Sequence, residues 1–135
     1  FVATATQAPT SMATLPRTVT HEEVVCGVPT KFALTLYSNR VFVVLTQTEN
    51  LGTMIQAHAD SPLDAGRTSY STRVLFGRRD DEALEVYART LVELISKRSP
   101  TAGPLLLAIS IREHSAEMFR SVMRVADATL LTALR

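Results

Sequence analysis

Cys26 is the one cysteine in the chain, and Gly27, Val28 and Pro29 follow it directly. A thiol on a turn is a placement used by nucleophilic chemistry, which also needs a base within hydrogen-bond reach. His21 lies five residues earlier. Along an extended strand that spacing puts it far away and on the opposite face. His21, His58 and His114 each stand alone, with no HExxH, no CxxC and no second histidine one helical turn on, so no metal site is expected. Gly27, Gly52, Gly66, Gly77 and Gly103 are scattered and do not form a phosphate cradle. Asp80, Asp81 and Glu82 are close enough for paired-carboxylate chemistry, but they precede a helical pattern, where acids cap and solvate. The expectation is a protein that is not an enzyme, with no catalytic, cofactor-binding or metal-ligating residue. An enzyme would show His58, Asp60 and Asp64 gathered around a concave site.

Composition narrows the class. The chain has 135 residues, the size of one domain, and is 46% hydrophobic, 20% charged and 6% aromatic, a globular balance. Fourteen basic residues against thirteen acidic give a net charge of +1, and the pair Arg78-Arg79 is answered at once by Asp80, Asp81 and Glu82, so no nucleic-acid footprint is visible. One cysteine gives no disulfide framework, and a reducing compartment is the default. The apolar runs VFVVL and LLLAI have five residues each, far below the roughly 20 of a spanning helix, so no membrane partner is expected. Residues 1–18, rich in Thr and Ala, are expected to be a flexible tail, with a weak likeness to a transit peptide, and 19–135 a single domain.

The pattern from Val19 is strand after strand. VTHEEVVC leads to the Gly27-Val28-Pro29 breaker, and in TKFALTLYS the residues Phe32, Leu34 and Leu36 alternate with Lys31, Ala33 and Thr35. Ser38-Asn39 is a two-residue hairpin loop, RVFVVLTQ is a strand with no polar face, and TMIQAH and YSTRVLF are two more. Five strands in succession predict an antiparallel meander. The period then changes: Leu84, Tyr87, Ala88, Leu91, Leu94 and Ile95 recur at helical spacing between an acidic start and a basic end. LLLAISI is a further strand, apolar on both faces, and a second helix follows with Ser115 as its cap. The order β-β-β-β-β-α-β-α predicts an α+β fold: a six-stranded, mostly antiparallel sheet with two helices in a two-layer sandwich.

The hairpin loop fixes a register. Phe32 faces Leu45, Leu34 faces Val43 and Leu36 faces Val41 on the side under the helices. The other side carries Ala33, Thr35, Phe42 and Val44, joined by Leu106 and Ala108 of the late strand. Two helices cover one sheet face, so this second apolar face is expected to be a dimer interface. Helices on opposite faces would leave a complete monomer instead.

Four blocks in order carry a resemblance: EVVCGVPT before an alternating strand, VVLTQ with LGTM just after, STRVLFG leading into an acid-capped helix, and LLLAISI before a final amphipathic helix. Together, over about Glu22 to Ala126, they resemble the proteasome assembly chaperone 3 family. The Thr/Ala-rich N-terminus, the loop from Ala59 to Ser69 and a longer C-terminal helix depart from it. The resemblance implies a non-enzymatic chaperone, cytoplasmic and also nuclear, that pairs with a proteasome assembly chaperone 4-like partner or with itself. It implies binding to alpha-type subunits while the core-particle alpha ring is built. It also implies that Cys26 is a small packed hydrophobe at the junction of two strands. Loops on a rigid sheet are common recognition elements, so Thr48, Glu49, Asn50 and Leu51 are the expected client-binding loop, with Asp60 to Arg67 a second candidate. A homodimeric scaffold unrelated to proteasomes is the alternative.

Overall fold

The computed structural model describes residues 16–60, 69–99 and 102–134. Six strands and two helices follow in the order β1 (Arg17–Val25), β2 (Val28–Leu36), β3 (Val41–Thr46), β4 (Thr53–Ala59), β5 (Tyr70–Phe76), α1 (Glu82–Arg98), β6 (Leu105–Ser110) and α2 (Ala116–Ala133). This is the α+β order expected. β1 begins at Arg17, two residues before the expected start, and residues 1–15 of the expected tail lie outside the described residues.

The first three strands form the expected meander. Leu36 faces Val41, Leu34 faces Val43 and Phe32 faces Leu45, and the loop closes with the Tyr37 N–H donating to the Arg40 carbonyl at 2.9 Å. The meander does not continue: the strand order is β1-β2-β3-β6-β4-β5, with β6 parallel to β3 and antiparallel to β4. The physical reason is the composition of LLLAIS, which is too apolar for an edge and takes the centre of the sheet. β3 and β4 are neighbours in sequence but not in space.

Both helices lie on one face. α1 packs on β4, β5 and β6, and α2 on β1 and β2, with the helices also touching each other. Leu84, Tyr87, Leu91 and Ile95 of α1 and Met118, Val122 and Leu130 of α2 meet Phe32, Leu45, Ile55, Leu107 and Ile109 in one core. Asp81 caps α1 by accepting the Ala83 N–H, and Ser115 caps α2 by accepting the Met118 N–H, as their positions in sequence predict. Because the helices run in parallel, both their N-termini sit at the sheet end that carries the 47–52 loop.

Candidate functional site: the open sheet face and the 47–52 loop

The face opposite the helices is open. Phe42 stands between Thr35 and Leu106, and Val44 between Ala33 and Ala108, across three adjacent strands. Ala33, Thr35, Phe42, Val44 and Leu106 are half-buried in the chain alone, so an apolar band with accessible surface runs across the sheet. Ala108 corrects the expectation: it is on this face but 0% exposed, because its methyl lies in a furrow between Val44 and Met54 on the neighbouring strands. Polar groups edge the band, with the Thr18 and Thr35 hydroxyls 3.0 Å apart.

Sequence reasoning missed the β4–β5 half of this face. Met54 and Gln56 alternate outward, because Thr53, Ile55 and Ala57 point into the core. On β5, Val74 pairs with Ile55 but Phe76 pairs with Met54, so Leu75 is an extra residue in a β-bulge. Simple alternation would put Phe76 inside with Val74. The bulge brings it out, leaving Leu75 37% and Phe76 51% exposed. The Arg79 guanidinium donates to the Val74 carbonyl at 2.8 Å and the Leu75 carbonyl at 3.3 Å, satisfying the backbone that the irregularity frees. The outward period-2 position of Met54 was readable from sequence. The bulge had no sequence signal.

The loop after β3 is built rather than slack. The Thr46 hydroxyl donates to the Asn50 carbonyl at 2.8 Å and accepts the Thr48 N–H at 3.2 Å, while the Thr48 hydroxyl meets that of Ser110. Glu49 has φ 67°, a left-handed conformation uncommon for a residue with a Cβ. Gly52 has φ 68°, and a Cβ there would collide with the Ile109 carbonyl and Ser110, so only glycine passes over the β6 end. Glu49, Asn50 and Leu51 are exposed and Thr48 is half-buried. Lys31, on the open face, donates to the Glu49 carboxylate, and this bond first, with the attraction of the same carboxylate second, raises the Lys31 pKa. The loop therefore reaches the rim of the open face. Of the second candidate loop, 61–68 lies outside the described residues. Its first member, Asp60, accepts first from the Ser71 hydroxyl and second from that of Ser69, bonds that hold its carboxyl below the usual range.

The three histidines lie apart from one another, and of the trio His58, Asp60 and Asp64 the first two are paired. His21 pairs with Glu23 at 2.8 Å, His58 with Asp60 at 3.5 Å and His114 with Asp81 at 2.9 Å, in three different places. Asp64 lies outside the described residues. Among the described residues no group of three metal-ligating side chains occurs. Cys26 is at the β1–β2 junction as expected, but it is not packed: the thiol is exposed, 3.5 Å from the Ser121 hydroxyl. Cys26 and Gly27 have φ 50° and 79°, the positive pair that a I′ hairpin turn requires, and a residue at such a tip points outward.

A family model described as proteasome assembly chaperone 3 matches residues 43–129. A human protein named proteasome assembly chaperone 3 is 34% identical over 109 residues, covering 78% of this chain and 88% of its own. A relative of that name from Nematostella vectensis is 30% identical over 106 residues, covering 72% and 76%. Among solved structures, a chain from the crystal structure of a chaperone complex for yeast 20S proteasome assembly superposes with a TM-score of 0.68. It shares 10% identity and covers 88% of this chain and 99% of its own, a likeness of fold. With the family model spanning well over half of the residues and the human relative matched along most of its length, the chain belongs to the proteasome assembly chaperone 3 family.

Proposed function

We propose that the chain is a non-enzymatic chaperone of proteasome core-particle assembly. It pairs through its open sheet face with a second small chaperone, a proteasome assembly chaperone 4-like chain, and holds an alpha-type subunit through the loop Thr48 to Leu51. It works in the cytoplasm and the nucleus. The observation that carries this reading is the accessible apolar band of Phe42, Val44 and Leu106 on the face the helices leave open, in a chain of a chaperone family. The names of the relatives and the yeast complex, whose subject is proteasome assembly, support the same reading. A rigid, mainly polar loop suits a client that must be let go, since a modest interface dissociates faster than a large dry one.

The test is purification of the tagged chain from its source cell, with partners identified by mass spectrometry, for the natural sequence and for Phe42→Asp. Recovery of a second small chaperone and alpha-type subunits with the natural sequence, and loss of the small chaperone with Phe42→Asp, is the expected result. Recovery of neither partner with the natural sequence, or a second copy of the chain alone, favours a homodimeric scaffold outside proteasome assembly.

A further inference from the structure

The β4–β5 half of the open face holds a hollow of about 130 Å³ lined by Arg40, Gln56, Leu75, Pro104, Leu105 and Leu106. Leu106, half-buried, forms its floor and the bulged Leu75 a wall, whereas the Leu105 side chain is buried in the core under the helices. Its rim is cationic. Arg40 lines it directly, and Arg73 sits beside it on β5, opposite Gln56. Both arginines are exposed, and neither makes an ion pair among the described residues. The described carboxylate nearest along β4 and β5, Asp60, is held by Ser69, Ser71 and His58 instead.

We propose that this hollow is a docking site for an acidic segment of another protein, one that inserts a single aliphatic or aromatic side chain between carboxylates. The volume admits one side chain against Leu75 and Leu106. Guanidinium groups are matched to carboxylates in bidentate geometry and lose less on desolvation than lysine, so exposed arginines beside Leu75 and Leu106 select an acid-flanked anchor. Phe76, exposed at the end of β5, extends the apolar contact. The site depends on the β5 bulge and adjoins the band proposed for pairing, with which it shares Leu106.

The probe is a fluorescein-labelled peptide, Glu-Glu-Leu-Phe-Glu-Glu, compared with the versions in which Gln or Lys replaces each Glu. Binding is followed by anisotropy at low salt and mapped by amide chemical shifts. The expected result is saturable binding of the acidic peptide with shifts at Gln56, Leu75 and Leu106. Affinity falls at least about tenfold for the Lys peptide and for the double variant Arg40→Glu, Arg73→Glu, the loss of two partly exposed charge pairs. Leu106→Ser weakens binding of the acidic and Gln peptides alike, and the melting temperatures of the variants confirm that each is folded. The proposal is overturned if no binding saturates by about 1 mM, if acidic and Lys peptides bind equally, or if shifts fall elsewhere. It is also overturned if the double variant changes sedimentation of the protein alone and leaves peptide affinity unchanged, since the hollow would then be a contact between copies.

Discussion

The carboxamide oxygen of Gln47 accepts the backbone N–H of Arg112 at 3.0 Å, across 65 residues of sequence. The same side chain, 5% exposed, donates to the Thr30 hydroxyl at 3.0 Å and to the Met118 sulfur at 3.3 Å. The Arg112 side chain returns a bond to the Gln47 carbonyl at 3.1 Å. One amide thereby joins β2, the end of β3, the turn after β6 and the first turn of α2, at the base of the loop Thr48 to Leu51. It is a satisfied buried polar network, which fixes a conformation but is costly to break.

Gln47→Leu removes the acceptor for Arg112 N–H and a partner of buried Thr30. The expected loss is about 2 to 4 kcal/mol in urea unfolding, the range for unsatisfied buried groups in one network. A loss under about 0.5 kcal/mol, the ordinary surface range, would show that the clasp contributes no stability.

Tyr87 gives the opposite case. Its hydroxyl is buried without a hydrogen-bond partner among the described residues, while its ring packs edge-on against Phe119, centroids 4.9 Å apart. Tyr87→Phe keeps the ring and removes the orphan oxygen, so a gain of roughly 1 kcal/mol is expected. Burial first, and the charge of Cys26 second, push the Tyr87 pKa up to about 12 from 10.0. A raised folded value contributes stability that is complete below pH 10 and is lost as pH rises from there toward 12. Unfolding free energy measured across that window should fall more steeply for the natural protein than for Tyr87→Phe. Parallel curves would contradict this.

Cys26 is exposed, so Cys26→Ser should change stability by less than about 0.5 kcal/mol. Cys26→Asn places the favoured Asn-Gly pair in a turn that needs two positive φ values, and a rise in melting temperature is expected. A fall with Asn would show that the Ser121 contact outweighs the turn preference.

Replacement of Glu49 to Leu51 by Gly-Ser-Gly should leave the melting temperature nearly unchanged. Asn50 contributes its carbonyl to the loop, Glu49 loses an exposed ion pair with Lys31, and glycine relieves φ 67° at position 49. Binding of alpha-type subunits, measured by co-sedimentation, is expected to weaken while pairing persists. If pairing is lost and subunit binding holds, the loop belongs to the pairing surface that Lys31 links it to.

The chain's local chemistry is written in its sequence. Period-2 alternation in TKFALTL and the Ser38-Asn39 loop set the β2–β3 register, and the acids from Asp80 to Glu82 and Ser115 mark the two helix starts, because these signals act over a few residues. The open face followed from the same register, since inward and outward positions on paired strands are locked together. Placement across long separations was decided by the packed whole. β6 inserts between β3 and β4 because the most apolar strand takes the most shielded place, and that insertion sinks Ala108 into a furrow. The β5 bulge turns Phe76 outward, and the positive φ at Cys26 holds its thiol in solvent. Residue identities alone do not encode these, since each depends on which backbone groups find partners once all six strands are in line.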